Sequence, residues 1–158
     1  MESATSSPLT EHLLRYAAQS KETHTMAHDE TDAPEAGDAP LAAGSVIDTL
    51  ALGLPLEDLP AAEVRAGAPL AGATDIDAGP GLSLGVWEMT AGTAVDVEAD
   101  ECFIVLRGSA TVTIFGDDGD PDSVIELRPG SLGRLAAGMR TEWVIREDLR
   151  KLYILPVE

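Results

Sequence analysis

The sequence has one cysteine, Cys102, so an intrachain disulfide is excluded. Basic side chains are also scarce: 10 Lys+Arg face 28 Asp+Glu, a formal net charge of −18. A field of that sign repels polyphosphates and anionic headgroups, which argues against nucleic acid and membrane surfaces as partners. No apolar run is long enough to span a bilayer. The first thirty residues carry Glu2, Glu11, Glu22, Asp29 and Glu30, with no basic start leading into an apolar stretch, so no secretory signal is visible and a cytoplasmic protein is expected. Aromatics make up only 4% of the chain, and its three histidines, His12, His24 and His28, all lie near the start.

Against these shortages stand 44% hydrophobic residues with 15 Gly and 10 Pro, enough for a compact core broken by many turns. The 158 residues make one domain with some forty to spare. Ser7-Pro8 reads as an N-cap with proline in the first turn, and Leu9, Leu13, Tyr16 and Ala17 follow at helical spacing, predicting a short helix near 8–19 within an N-terminal extension over 1–20. Residues 21–44 are rich in Glu, Thr, Asp, Ala, Pro and Gly and nearly free of large apolar side chains, the composition of a disordered acidic linker. His24 and His28, four apart, fall within it and read as a solvated tail rather than as ligands. The body is expected over 45–158, opening with Val46, Ile47, Leu50, Leu52, Leu54, Leu56 and Leu59 as a short helix or extended arm.

The rest reads as β structure. Short apolar-rich runs near 62–66, 82–90, 101–107, 109–115, 123–128, 132–136, 141–146 and 150–155 are separated by Gly, Pro or Asp, which predicts an antiparallel sandwich or small barrel. Arg107-Gly108-Ser109 and Arg128-Pro129-Gly130-Ser131 both read as tight turns. Cys102 to Leu106 is apolar at every position, so this strand is expected to be covered on both faces, by the barrel and by a second sheet or subunit, with Cys102 a small core hydrophobe. Asp118, Asp120 and Asp122 are spaced like the start of a calcium loop, but the twelfth position is Pro129 and not Glu, leaving a solvated hairpin tip as the reading.

Three stretches resemble the cupin superfamily, in particular the small single-domain cupins related to the ureidoglycine aminohydrolase and ethanolamine-utilisation groups. They are Gly85-Val86-Trp87-Glu88-Met89-Thr90-Ala91-Gly92; Asp100-Glu101-Cys102-Phe103-Ile104-Val105-Leu106-Arg107-Gly108; and Arg128-Pro129-Gly130 through Ala136-Ala137-Gly138 to Thr141-Glu142-Trp143 and Leu149-Arg150-Lys151-Leu152-Tyr153. The resemblance covers roughly residues 55–158, with Ser131 where the Pro-Gly-Asp turn would place Asp. It implies an all-β, single-domain jelly-roll barrel, here preceded by the short helix and acidic linker.

The resemblance also implies where a metal would sit, because the usual cupin site takes two His and a Glu from the first motif and one His from the second. The motif glutamate falls on Glu101, the paired histidines on the stretch Ala94-Val95-Asp96-Val97-Glu98, and the last histidine on Thr141. None of these positions holds an imidazole. An all-oxygen set of Asp96, Glu98 and Glu101 would suit Mg²⁺, Mn²⁺ or Ca²⁺ and would hold iron or zinc poorly, so no metal cofactor is expected and these three carboxylates are the candidates for a divalent ion.

Period two sends Phe103 and Val105 the same way as Glu101, and puts Thr141, Trp143 and Ile145 on one face. A carboxylate among such side chains is desolvated toward neutrality, the tuning that a general acid or base needs, and this makes Glu101 the candidate catalytic residue. The competing reading leaves Glu101 in water, beside Asp100 and Glu98 as an acidic rim. Trp87, Phe103, Val105, Met139, Thr141, Trp143 and Tyr153 are the candidate ligand-binding residues, although in a chain this poor in aromatics Trp87, Trp143 and Tyr153 read first as core pieces. Arg107, Arg128, Arg134, Arg140, Arg146, Arg150 and Lys151 read as ion-pair partners for the surplus acids.

Three functions fit these features. The first is a homodimeric binder of a small organic molecule without a transition metal. The second is an enzyme of lyase, isomerase or amidohydrolase type in which Glu101 is the general acid or base on a small polar metabolite, a ureido, amide or sugar-like compound by the resemblance. The third is a non-catalytic dimeric scaffold whose N-terminal tail binds a protein partner.

Overall fold

A computed structural model describes residues 39–157. The helix expected near 8–19, most of the expected linker and all three histidines lie outside the described residues. Ten strands follow in chain order: β1 (Ala39–Pro40), β2 (Glu57–Asp58), β3 (Val64–Ala66), β4 (Leu70–Asp77), β5 (Ser83–Met89), β6 (Gly92–Val97), β7 (Glu101–Phe115), β8 (Pro121–Leu127), β9 (Leu132–Leu135) and β10 (Arg140–Leu155). Among the described residues there is no helix, and so none long and apolar enough to cross a membrane. β1 pairs in parallel with Ile76 and Asp77 of β4, so paired structure extends upstream of the boundary expected at Gly44.

The architecture depends on two long strands shared by two halves of one curled sheet. The first part of β10 (Arg140 to Ile145) lies between β6 and the distal part of β7, whereas Leu149 to Leu155 lies between β5 and the proximal part of β7. β1, β2 and β4 extend the β5 side, β9 borders proximal β7, β3 borders β6, and β8 borders distal β7. The sheet closes around a core that includes Trp87, Met89, Phe103, Val105, Val112, Leu135, Trp143, Leu149 and Tyr153. The fold is an all-β jelly-roll barrel, as the resemblance implied.

Arg107-Gly108-Ser109 is not a turn. β7 runs on through Gly108, whose φ is +85°, and the register against β10 shifts around Glu147 and Arg150. This is a β-bulge, and its effect shows in the burial pattern: Glu101, Phe103 and Val105 are buried before it, Ala110 and Val112 after it. β7 carries its extra residue between Val105 and Arg107, which pair with Lys151 and Arg150, and this flips the phase of the alternation as the strand bends from one half of the barrel into the other. A Cβ at Gly108 would lie 2.3 Å from the Asp148 carbonyl oxygen, so the corner also needs the missing side chain. Arg128-Pro129-Gly130-Ser131 is the expected tight turn, closed by the Ser131 amide on the Arg128 carbonyl at 2.9 Å with Gly130 at φ +88°.

Cys102 is exposed, contrary to its expected place in the core. Alternation explains this: Glu101 and Phe103 point inward, so Cys102 points out, with Ile104 partly covered beside it. β4 and β6 carry no strand signal in the sequence because their side chains are mostly small or polar. β4 is small for a reason, since the arm of residues 45–56 crosses it: a Cβ at Gly72 would lie 2.2 Å from the Pro55 carbonyl oxygen. The arm contains no helix; Asp48 accepts from the Leu50 and Ala51 amides at 3.0 and 3.2 Å to form a turn. At the acidic tip between β7 and β8, Asp118 accepts the Asp120 amide at 3.0 Å, a turn contact.

The bulge makes a differential prediction. Gly108→Ala should cost roughly 3 kcal/mol or more, because left-handed strain adds to a backbone collision. Gly130→Ala, at a similar φ but with no atom within 4 Å of the new Cβ, should cost about 1 kcal/mol. Denaturant unfolding of both variants measures the difference; equal costs would mean the bulge is not packed as described.

Candidate functional site

The bend in β10 brings two parts of one strand to the same interior. Trp143 comes from the part paired with β6, and Lys151 from the part opposite Trp87 of β5 and Val105 of β7. Glu101 opens β7, and Glu98 sits in the loop between β6 and β7. The Ala136-Ala137-Gly138 turn fixes that loop: the Glu98 amide donates to the Met139 carbonyl at 2.8 Å and the Gly138 amide to the Glu98 carbonyl at 2.9 Å. Trp87, Met89, Ala94, Val95, Asp96, Glu98, Ala99, Glu101, Trp143 and Lys151 line a cavity of about 20 Å³, room for one water molecule.

At the centre of this site the Lys151 ammonium donates to Glu101 Oε1, with side chains only 6% and 2% exposed. A buried charge pair needs further compensation for lost hydration. Three rings supply it, because Lys151 Nζ lies 5.1 Å from the centroid of Trp87, 4.8 Å from Phe103 and 5.1 Å from Trp143. Glu98 is buried beside the pair. Its Oε1 accepts from Thr141 Oγ1 at 2.5 Å and from the Trp143 indole at 2.9 Å. Burial pushes the Glu98 carboxyl up to about 7, and Asp96 adds to the rise while Lys151 and the two hydrogen bonds oppose it.

The expected site residues therefore divide. Trp87, Trp143, Asp96, Glu98 and Glu101 border the cavity, and Phe103 faces the ammonium from beside it. Thr141 reaches the site through Glu98. Val105 is buried in the core, Met139 packs against that core with its sulfur accepting the Ala136 amide at 3.4 Å, and Tyr153 donates to Asp75. These last three do not border the cavity. Glu101 and Glu98 are 4% and 7% exposed, so neither belongs to a solvated rim. The group tuned toward neutrality is Glu98, while Glu101 is the counterion of Lys151.

Lys151, read from the sequence as an ion-pair partner, is one, but the sequence reading did not put it in the pocket. The available signal was its parity with Trp143 along β10, which continues through the corner. Arg150, its neighbour, points the other way. It donates to Glu88 at 2.5 Å and to the carbonyls of Thr49, Leu50 and Leu52 at 2.9 Å each, which holds the arm against the sheet. Arg107 also donates to Glu88, at 2.8 Å. Arg146 pairs with Glu126 at 2.8 Å, and Arg134 approaches Asp100 at 3.9 Å.

Among the described residues the cavity offers three carboxylates and no imidazole or thiolate, a poor fit to a transition metal. Among the described residues no group of three His, Cys, Asp or Glu side chains could hold a metal ion, and the motif glutamate is already engaged by an ammonium that would repel a divalent cation.

A jelly-roll barrel with its pocket between these strands defines the cupin class. Residues 78–153, just under half of the chain, match the EutQ-like cupin domain. Every charged and aromatic residue of the cavity lies within the match. Among solved structures, a protein of unknown function of the DUF861 family from Pseudomonas syringae pv. tomato is 20% identical with a TM-score of 0.54, covering 68% of this chain and 46% of that one. That likeness shows the fold, and the chain spans less than half of that protein. The EutQ protein of Clostridium difficile is 22% identical, TM-score 0.46, over 56% of this chain and 69% of its own. Ectoine synthase from P. lautus is 17% identical, TM-score 0.46, over 55% and 65%. No curated protein matches the chain.

Glu98 gives a pH prediction. The native state keeps the Glu98 proton to about pH 7, whereas the unfolded chain releases it near the ordinary 4.5. Between those values the native state binds more protons, so this group's contribution falls as pH rises through the window, by about 3 kcal/mol in all. Glu98→Gln should gain on the wild type by that amount between pH 4.5 and above 7 in denaturant unfolding. A difference that does not change with pH would mean that Glu98 is ionised throughout.

Proposed function

We propose that this domain binds a small polar organic molecule in the barrel pocket without a transition metal. The observation that carries this reading is the Lys151 ammonium seated on Glu101, where a bound metal would need the same carboxylate. Two indoles, three carboxylates and one ammonium line the cavity, so donors and acceptors stand side by side on an aromatic floor. At about 20 Å³ the cavity admits one group of water's size, so the ligand presents a small polar group to Glu98 and Lys151 and lies against Trp87 and Trp143. The setting is cytoplasmic in this reading.

A catalytic reading is favoured by one specific observation, the Glu98 carboxyl near 7. A general acid or base works best when its pKa lies near the operating pH, which gives proton transfer to Glu98 and leaves Glu101 to hold Lys151 in place. The substrate would be a small polar metabolite presenting its reacting proton to Glu98.

Homodimerisation is proposed through the outer face near β9. β9 pairs with β7 alone among the described strands, so its other edge is open. Leu132 and Ile154, 77% and 45% exposed, lie on that side with Cys102. A second copy adding its own β9 edge would pair the free backbone groups and cover these side chains. Leu132→Arg should convert a dimer to a monomer in light scattering; a wild-type chain that is monomeric at micromolar concentration overturns the proposal.

The binding reading is tested on protein isolated without chelator. Metal analysis should give background levels, and iron, nickel, zinc or manganese near one per chain would overturn it. A thermal-shift panel of small amides, polyols, amines and hydroxy acids should then yield a compound that raises the midpoint, as any ligand of the native state does. Affinity for that compound should change around pH 7 in the wild type and not in Glu98→Gln.

A further inference from the structure

The geometry points to Lys151 as a cation that the barrel supplies to itself, seated in a cage that would otherwise take a free alkylammonium ion. Simple charge neutralisation of Glu101 requires one donor and no aromatic neighbours. Here rings from three strands converge on the ammonium: Trp87 on β5, Phe103 on β7 and Trp143 on β10, all between 4.8 and 5.1 Å from Nζ. The rings are tilted, Trp143 at 54° to Trp87 and 56° to Phe103, so they surround the charge and do not stack on one another. Converging aromatic faces with a carboxylate are how proteins recognise organic ammonium groups, and the attraction grows when the site is dry. The Lys151 side chain is 6% exposed, so this site is largely withdrawn from bulk solvent.

The charges facing the ammonium agree. Glu101 binds it directly, and Asp96 and Glu98 border the same cavity. Without the lysine head group a buried carboxylate would face three ring faces with no positive partner. A tethered side chain is always present at its own site, so it holds this place against free amines and free metal ions. The inference rests on the metal-free reading of the pocket and narrows it: the natural ligand is not an organic cation, and its polar group is one that accepts from Lys151.

Lys151→Ala tests this, with ethylammonium as the probe because it reproduces the last two carbons and the nitrogen of the missing side chain. At 100 mM, ethylammonium chloride should raise the variant's thermal midpoint by roughly 3–6 °C over the same concentration of NaCl, as for a ligand bound with Kd of about 10 mM. The wild type and Lys151→Met, in which the cage stays filled, should move by no more than about 1 °C. If Lys151→Ala folds only when refolded with ethylammonium, that recovery is the same positive result. The inference is overturned if the variant responds no more than the wild type, if it fails to fold under both conditions, or if Mn²⁺ stabilises it and ethylammonium does not. Failure of the metal-free reading would appear separately, as metal bound to the wild type.

Discussion

An ammonium and a carboxylate buried together inside a barrel persist only if each answers the other and the surroundings replace the lost water. In this chain Lys151 and Glu101 meet that condition, and three aromatic faces complete it. The requirement reaches far along the chain, because the partners stand on β10 and β7 and the rings on β5, β7 and β10. A register slip of one residue in any of these strands would turn a charge or a ring to the outside. It also explains Glu98. Burial raises the second carboxyl, and the one ammonium among the described residues of the cavity is already paired with Glu101, so Glu98 keeps its proton to about pH 7.

The strand β10 buries a cation on each of its two faces and pairs each with a glutamate from another strand. Lys151 is paired inward with Glu101, while Arg150 is paired outward with Glu88, which also receives Arg107. Arg150 is buried by the arm that its own guanidinium holds through three carbonyls. A chain of net charge −18 has few cations to deploy, and two of them are spent on consecutive residues of its most connected strand.

Much of the fold was legible from sequence because most of the strands are marked by bulky apolar side chains and end in Gly, Pro or Asp. β4 and β6 were not, since Leu70–Asp77 and Gly92–Val97 are built largely of small or polar residues that take their place from pairing and from the arm lying over Gly72. Period two gave the shared direction of Glu101 with Phe103 and of Thr141 with Trp143, but left open whether Glu101 faces the barrel or water. What period two cannot reveal is a phase change, and the register shift between Val105 and Arg107, just before Gly108, introduces one. A glycine between two apolar runs reads as a turn, and only the pairing of both flanks with one continuous β10 shows a bulge. Cys102 was misplaced for a related reason: an unbroken apolar run hides which residues face in. The site was partly legible, in Glu101, Glu98, Trp87 and Trp143, but the cation at its centre was not, because a lysine near the end of a domain carries no local mark of burial.

The sharing of β7 and β10 between the two halves has a thermodynamic consequence. A sandwich of two separate sheets can loosen at one sheet while the other keeps its hydrogen bonds. Here either half can come apart only by stripping partners from strands that also form the other half, so partial opening exposes the interior of both. Such connectivity favours all-or-none melting of the barrel, with the slowest-exchanging amides in the middle of these two strands.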